Sequence, residues 1–232
     1  MLGVLGGMGP LATADFLTKL VEITPAKKDA DHLPVIIRSV PQIPDRTAAL
    51  LEAAPSPLPE LVEHAAALKA GGATIGAMPC NTAHHWFDEI ESRSGLPFIH
   101  IADAVIADIR ARGLGDAAIG LLATAGTIHS GFYQNKLGQG GLRALVPDEA
   151  SQQRVMRGIG WVKGGKPDLA RTEFIETAAA LTGNGARAVI LGCTELPAVL
   201  EPSNEFIDST LALAQACVRH FHGPALHAES CE

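Results

Sequence analysis

The chain lacks an excess of positive charge and lacks long apolar runs. Of its 232 residues, 18 are Lys or Arg and 25 are Asp or Glu, which gives a formal net charge of -7. A protein that follows nucleic-acid phosphates needs a basic face, so this charge disfavours nucleic acid as a partner. No apolar run approaches the ~18 residues of a membrane helix, so no membrane partner is predicted.

Cysteine is also scarce. The four cysteines, Cys80, Cys193, Cys217 and Cys231, are too few and too dispersed for a disulfide scaffold. No basic residue precedes the first apolar run, a pattern that predicts neither a secretory signal nor a membrane anchor. These features together predict a cytoplasmic protein with reduced thiols.

The residues that are present favour a globular α/β protein. The composition is 47% hydrophobic and 19% charged, whereas a disordered chain is poorer in apolar residues and richer in charge. Short apolar runs alternate with Ala-rich stretches of helical length, the pattern of parallel βα units. Strands buried on both sheet faces are predicted at 1–5, 35–39, 74–78, 117–122, 142–146 and 188–191. Helices are predicted at 11–23, 58–70, 82–91, 102–112, from near Ser130, at 167–181 and at 209–221.

Two motifs recur in the second half of the chain. GVLGGMG beginning at Gly3 aligns with GLLATAG beginning at Gly120, a shift of 117 residues, and Cys80 aligns with Cys193, a shift of 113. Two motifs at nearly one shift indicate a duplicated α/β domain. We therefore predict two similar lobes with parallel sheets, related by a pseudo-twofold axis, with the active site in the cleft between them. The predicted first lobe is 1–100 plus 208–232, and the second is 101–207.

Cys80 and Cys193 each follow an apolar strand, which places both thiols at the carboxyl edge of a parallel sheet. Ligands bind at that edge in open α/β folds. A helix beginning there would present unpaired backbone N–H groups that favour the thiolate, so both residues are predicted bases or nucleophiles. Cys217 lies in an apolar helical pattern and is predicted to belong to the core, and Cys231 is assigned no role.

Several kinds of chemistry fit two such thiols. A dithiol redox pair usually uses Cys-x-x-Cys, which the sequence does not contain. A hydrolase would pair one Cys with a His base, for which His84 is a candidate. Two thiols on opposite sides of one carbon suit removal of a proton from one face and its return to the other, which inverts a stereocentre. A non-enzyme alternative is an acidic-ligand-binding or thiol-redox sensor protein, which would need only one of these cysteines.

Four segments carry a resemblance to a known family. GGMGPLAT, MPCNTAHH, GLLATAGT and LGCTELP resemble the aspartate/glutamate racemase superfamily of cofactor-independent racemases. PDRT at 44–47 and WVKG at 161–164 are similar to the substrate-recognition segments of aspartate racemases. The resemblance implies a PLP-independent isomerase that interconverts L- and D-aspartate by a two-cysteine, two-base proton transfer. Alternatives within it are a glutamate or broad acidic amino-acid racemase, or a diacid isomerase or decarboxylase.

The resemblance also implies roles for individual residues. The acid/base pair would be Cys80 and Cys193. The substrate-binding residues would be Met8, Gly9, Arg46, Asn81, Thr82, Thr124, Thr127, Lys163 and Thr194. Supporting residues would be Asp45, His84 and Glu195. The expected ligand is a small acidic amino acid, no cofactor or metal is expected, and a homodimer is left open.

The residues themselves suggest more specific roles for some of this set. Arg46 is predicted to project from a proline-restricted loop, where its guanidinium fork suits a carboxylate. Asp45 is expected to orient Arg46. Glu195 is expected either to hydrogen-bond near Cys193 or to cap a following helical turn. His84 and His85 can equally be helix-surface residues.

The sequence disfavours two other ligand sites. GMGPLA at 7–12 matches a dinucleotide-binding turn, but the strand at 35–39 ends without the acidic residue that would bind a ribose. Cys80, His84, His85 and Cys193 could ligate a metal, but they lack the spacing of a zinc knuckle.

Overall fold

A computed structural model describes residues 1–200 and 203–223, and it contains two parallel sheets of four strands. The strand order is β2-β1-β3-β4 in the first sheet and β6-β5-β7-β8 in the second. The strands are β1 Leu2–Gly6, β2 Val35–Ser39, β3 Ile75–Ala77, β4 Phe98–Ile99, β5 Ala118–Ala123, β6 Arg143–Leu145, β7 Ala188–Gly192 and β8 Phe206–Asp208. The predicted α/β fold of two similar lobes is confirmed.

Helices flank both sheets. They are α1 Pro10–Ile23, α2 Arg46–Leu51, α3 Leu58–Ala70, α4 Phe87–Ser94, α5 Ile101–Ala111, α6 Ala125–Ser130, α7 Phe132–Gln139, α8 Glu149–Lys163, α9 Arg171–Gly183 and α10 Ser209–His222. Short 3-10 helices span Asp29–Asp31, Thr82–Trp86 and Pro167–Leu169. Among the described residues, no helix is both long and apolar enough to cross a membrane.

The central strands are the ones that the sequence predicts best. All five residues of β1 and all five of β7 are buried, as expected for parallel strands covered by helices on both faces. The edge strands β2 and β6 are only partly buried, so the prediction that every strand is buried on both faces is wrong for them. The strands β4 and β8 were not predicted, because each contains only two consecutive apolar residues, Phe and Ile, bounded by proline or polar residues.

The helix predictions differ from the structure in three ways. The helices predicted at 82–91 and at 167–181 each divide into a 3-10 helix followed by an α-helix. The short helices α2 and α6 were missed, and so was α8, although it has 15 residues. Glycine within a helix weakens the sequence signal, and Gly158 lies inside α8. A Cβ at Gly158 would lie 2.5 Å from Cε1 of Phe174, so packing against α9 explains this glycine.

The helix α10 packs on both α1 and α5. Its Leu213 and Cys217 are buried in one cluster with Leu2 and Phe16, so the prediction that Cys217 belongs to the core is confirmed. The lobe boundaries given above stay a prediction. Cys231 and the rest of 224–232 lie outside the described residues, as do positions 201–202.

Candidate active site

A small cavity of about 20 Å³ lies between the carboxyl edges of the two sheets. This volume has room for about one water molecule. We call it the inner cavity, and it is lined by Met8, Asp45, Arg46, Thr47, Cys80, Asn81, Thr82, Thr124, Lys163, Gly192, Cys193, Thr194 and Glu195. It contains most of the predicted site residues. Thr47 and Gly192 also line it, although the sequence predicts no role for them.

A wider cavity of about 420 Å³ adjoins the inner one. We call it the outer cavity, and it is lined by Gly7, Gly9, Pro10, Leu11, Pro41, Ile43, Asp45, Arg46, Val162, Lys163 and Glu195. Four residues line both cavities, namely Asp45, Arg46, Lys163 and Glu195. Two cations and two carboxyl groups therefore lie at the boundary between the two spaces.

Both predicted acid/base thiols line the inner cavity. Cys80 comes three residues after β3 ends and Cys193 directly follows β7, and these strands hold the same position in their two sheets. Each residue is 6% exposed, and neither is in a disulfide. The duplicated sequence thus brings one thiol from each lobe to a single space.

The Cys193 thiol interacts with a carboxylate. Its Sγ donates a hydrogen bond to Glu195 Oε2 over 2.9 Å, as expected for Glu195. Burial, followed by the negative charge of Glu195, raises the pKa of Cys193 well above its usual range. The expectation of a helix-stabilised thiolate is wrong here, because turns rather than a helix follow Cys193. For the same reason Glu195 caps no helix.

Three threonine hydroxyls join the lobes beside the inner cavity. Thr82 Oγ1 lies 2.9 Å from Thr124 Oγ1 and 3.0 Å from Thr127 Oγ1, and Thr124 and Thr127 are 3.0 Å apart. Thr127 stands behind the other two and does not line the inner cavity. Thr127 contacts two residues that line the cavity, and its own contact with substrate stays a prediction.

His84 does not line either cavity. The Ile101 N–H donates to its Nε2 over 3.2 Å, so the ring proton is on Nδ1 and is donated to the Cys80 carbonyl over 2.9 Å. Burial lowers the pKa of His84 to about 4, so the ring is neutral at pH 7. His84 therefore holds the backbone at Cys80 and is not placed to act as a base. The helix-surface expectation is wrong for His84, which is buried, and right for His85.

Arg46 begins α2 rather than projecting from a loop. Asp45 caps this helix by accepting from the Ala48 N–H over 2.8 Å, so it acts on Arg46 through the helix start and not through an ion pair. Arg46 Nη1 donates to the carbonyls of Ile43 and Pro44, over 3.1 and 3.0 Å. Its Nε is buried and has no hydrogen-bond partner within 1–200 and 203–223. The Nε and Nη2 edge of the guanidinium is thus the edge suited to a ligand carboxylate.

The second cation, Lys163, is the last residue of α8. Its positive charge acts to lower the pKa of Cys193, against the larger effects of burial and Glu195. Lys163 therefore lies close enough to the thiol for its charge to act there. Arg46 and Lys163 face the boundary between the cavities from opposite lobes.

Asn81 is buried, and two unpredicted residues hold its side chain. Its Nδ2 donates to Ser209 Oγ over 3.0 Å, and the Tyr133 hydroxyl donates to its Oδ1 over 2.7 Å. Tyr133 and Ser209 lie outside every motif described above. No local signal could have identified them.

The two ligand sites that the sequence disfavours can also be compared with the structure. Within the described part of the chain, no three His, Cys, Asp or Glu side chains gather where they could hold a metal ion. The turn before α1 approaches the segment after β2, because a Cβ on Gly7 would lie 2.2 Å from Val40 N. Gly7 has φ 93°, which glycine adopts readily, so this residue is required by the turn itself.

Comparisons with known proteins agree on one family. A family model described as Asp/Glu/Hydantoin racemase matches residues 5–217. The structure of Picrophilus torridus aspartate racemase superposes with a TM-score of 0.83 at 32% identity, covering 96% of this chain and 94% of that one. An aspartate racemase homologue from Pyrococcus horikoshii gives a TM-score of 0.75 at 28% identity, covering 94% and 97%. The broad specificity amino-acid racemase RacX of Bacillus subtilis is 29% identical, over 94% of this chain and 96% of its own.

Proposed function

Because the chain belongs to the Asp/Glu/Hydantoin racemase family and is an amino-acid racemase, we propose that it interconverts L- and D-aspartate without PLP, using Cys80 and Cys193. The observation that carries this proposal is the presence of one buried thiol from each lobe in the inner cavity. A binding protein or a thiol sensor would need only one of them.

The two thiols begin the reaction in different states. Cys193 starts as the thiol, because it donates a proton to Glu195 and its pKa is raised. In the direction that starts from this state, the Cys80 thiolate removes the α-proton from one face and the Cys193 thiol donates its proton to the other. In the reverse direction the two roles exchange.

The α-hydrogen of an amino acid is a very weak acid, so the site must stabilise the charge that develops on the α-carboxylate. Asn81, Thr82 and Thr194 supply short neutral donors around the thiols, in a space from which water is largely excluded. Because the inner cavity is smaller than an amino acid, substrate binding must widen it, and the outer cavity is the route by which substrate arrives. This route passes the two cations.

Arg46 and Lys163 support an acidic substrate. The Nε and Nη2 edge of Arg46 suits the side-chain carboxylate, and Lys163 approaches the same boundary from the other lobe. The outer cavity beyond these cations favours a second candidate, a racemase that also accepts longer acidic amino acids. RacX, described as having broad specificity, is consistent with this second candidate.

The reaction is tested by chiral HPLC of the purified protein incubated with L-aspartate, L-glutamate or L-alanine without added PLP. We expect D-aspartate to form, and Cys80→Ser and Cys193→Ser each to abolish turnover in both directions. Cys217→Ala, which changes a core thiol, is the matched control and should retain activity. If either active-site variant kept near wild-type turnover, that cysteine would have no part in the mechanism. Aspartate binding without turnover in the wild type would indicate a binding protein.

The substrate assignment is tested with Arg46→Ala and Lys163→Ala. A charge-assisted hydrogen bond contributes roughly 1.5 to 3 kcal/mol, and its loss corresponds to a decrease of about 10- to 150-fold in a rate or an affinity. We therefore expect each variant to lower kcat/KM for aspartate by that factor and to change the slow turnover of alanine little. Equal losses with aspartate and alanine would assign these cations to the α-carboxylate or to the fold instead.

A further inference from the structure

A buried chain of hydrogen bonds runs from the loop of one thiol to the strand of the other. Tyr133 OH lies 2.7 Å from Asn81 Oδ1, and Asn81 Nδ2 lies 3.0 Å from Ser209 Oγ. Ser209 Oγ in turn lies 2.7 Å from the carbonyl oxygen of Leu191. Asn81 directly follows Cys80, and Leu191 lies two residues before Cys193.

The chemistry of these groups allows only one direction of donation. The Leu191 carbonyl can only accept, so the single Ser209 proton is donated to it and Ser209 Oγ accepts from Asn81 Nδ2. The Asn81 Oδ1 must then accept from Tyr133. If the amide were turned over, the Ser209 hydroxyl would face two acceptors with one proton and a hydrogen bond would be lost. The orientation of the Asn81 amide is therefore set by Tyr133 and Ser209.

Both partners are isolated from solvent. Tyr133 and Ser209 are 0% exposed, and burial raises the pKa of Tyr133 far above its usual range, so its hydroxyl stays a neutral donor. Tyr133 belongs to α7 and Ser209 begins α10, so neither belongs to the loops that line the inner cavity. Asn81 retains one N–H and one oxygen lone pair that are not used in this chain.

We propose that Tyr133 and Ser209 are positioning residues for racemisation. They orient the Asn81 amide toward the substrate, and they hold the Cys80 loop at a fixed distance from the strand that carries Cys193. Neither residue touches the substrate. This inference rests on the proposed function, because it assigns to Asn81 a contact with the substrate.

The test is a double-mutant cycle. Tyr133→Phe and Ser209→Ala are each made in the wild type and in an Asn81→Ala background, because residues that act through one partner are not additive. A misplacement of about 1 Å can cost about 100-fold in rate, so we expect each single variant to lower kcat by about 10- to 100-fold with little change in KM. In the Asn81→Ala background, we expect Tyr133→Phe or Ser209→Ala to lower kcat little further.

A neighbouring residue supplies the matched control. Thr210 is fully buried beside Ser209, and its Oγ1 has no hydrogen-bond partner within the described chain. Thr210→Val should therefore leave kcat unchanged. Thermal unfolding of every variant identifies any loss of fold, and Ser209→Ala completes the cycle if Tyr133→Phe does not fold. The proposal would be overturned if the folded single variants kept wild-type kcat. It would also be overturned if Tyr133→Phe or Ser209→Ala lowered kcat by the same factor in the Asn81→Ala background as in the wild type.

A measurement without substrate separates this inference from the proposed function. Alkylation of Cys80 by iodoacetamide, followed by peptide mapping, should be several-fold faster in Tyr133→Phe and Ser209→Ala, and the increase should vanish in the Asn81→Ala background. If the wild type racemises no acidic amino acid, the proposed function fails while this cycle still tests the hydrogen-bond chain. Unchanged alkylation in both single variants would show that the chain does not position the Cys80 loop.

Discussion

Two residues after each thiol, the repeats carry different side chains. Thr82 follows Cys80 and forms hydrogen bonds with other hydroxyls, whereas Glu195 follows Cys193 and accepts its thiol proton. A carboxylate beside a thiol opposes its ionisation, and the charge of Glu195 is the second cause of the raised pKa of Cys193, after burial. The two lobes share a fold but hold their thiols in different electrostatic surroundings. The proposed starting state, with the proton on Cys193, follows from this difference.

The Glu195→Gln variant tests this difference. Burial contributes most to the raised pKa of Cys193, and Glu195 contributes next, so loss of its negative charge lowers that pKa. The thiolate forms at lower pH when the pKa falls, so we expect the midpoint of Cys193 alkylation to move to lower pH. Peptide mapping after iodoacetamide treatment across a pH series measures the shift, with Cys80 in the same samples as an internal reference. An unchanged midpoint would mean that Glu195 does not control the proton on Cys193.

At the scale of elements, the helix that carries Arg46 is weakly held. The helix α2 has six residues, none of them buried, and helices this short are marginal without support. Its N-cap, Asp45, accepts from the Ala48 N–H. The placement of Arg46 therefore depends on this cap, although Asp45 forms no ion pair with it among the described residues.

We expect Asp45→Ala to weaken substrate binding more than it weakens the fold. Loss of an N-cap costs about 1 kcal/mol, which is roughly fivefold in an equilibrium constant. In α2 this cost is met by local fraying, because none of its residues is fully buried. KM for aspartate should rise about fivefold while the melting temperature stays nearly constant, and Asp45→Asn, which keeps a capping side chain, should change KM little.

The helix α8 offers a matched comparison. Asp148 caps it with the same geometry, accepting from Ser151 N–H over 2.8 Å, but Val155 and Ile159 anchor α8 in the core. Asp148→Ala should therefore leave KM unchanged. Equal rises in KM for Asp45→Ala and Asp148→Ala would show that the effect of Asp45 is not specific to α2.

At the scale of the whole molecule, the two lobes approach each other closely at a glycine. A Cβ on Gly126 would lie 2.9 Å from Thr47 Oγ1 and 3.0 Å from Thr82 Cγ2, both in the first lobe. Its repeat equivalent, Gly9, would meet only Glu195 Oε1 at 3.7 Å, which is an ordinary contact. The pseudo-twofold axis thus relates a crowded position, Gly126, to a position with more space, Gly9.

We expect Gly126→Ala to destabilise the protein by about 1 to 3 kcal/mol through overpacking between the lobes. Gly9→Ala should keep or slightly raise stability, because φ −96° suits alanine and the replacement lowers the entropy of the unfolded chain. Urea denaturation of both variants measures the two free energies of unfolding. If both variants lost stability equally, the lobe contact at Gly126 would not be the cause.

The stability of the whole chain should depend on pH through two buried imidazoles. His84 and His100 lie with ring centroids 4.8 Å apart, and burial lowers their pKa values to about 4 and about 2. Below the unfolded value of about 6.5, the unfolded chain takes up protons that the folded chain does not, so stability falls as pH falls. For His84 this loss stops near pH 4, where the folded state also binds the proton.

We therefore expect the free energy of unfolding to be nearly constant between pH 7 and 8 and to fall by about 1.4 kcal/mol per pH unit for each histidine between pH 6.5 and 5. His100 caps α5 by accepting from Ala102 N–H, and asparagine is a good N-cap, so His100→Asn removes a titrating group while keeping the cap. Urea denaturation at several pH values should show about half the wild-type slope in this variant. An unchanged slope would exclude His100 as a source of the pH dependence.

The sequence by itself determined the duplicated fold and the positions of Cys80 and Cys193. These features are encoded locally, because an apolar run followed by a small polar segment specifies a buried strand and its end wherever it occurs. The repeat then places two such strand ends symmetrically. The same local patterns could not reveal β4 and β8, which each contain only two consecutive apolar residues, or α8, whose polar and glycine residues obscure its helical period.

Only the tertiary structure decided the state of the site. Whether Cys193 ionises, which atoms His84 contacts and how the Asn81 amide is turned depend on burial and on partners far along the chain. The Asn81 and Ser209 side chains, for example, are separated by 128 residues and meet only when α10 packs beside the cleft. The pKa values and hydrogen-bond directions were therefore inaccessible from the sequence, because local patterns specify the element that carries a side chain, whereas its solvation and its neighbours exist only after the lobes have packed together.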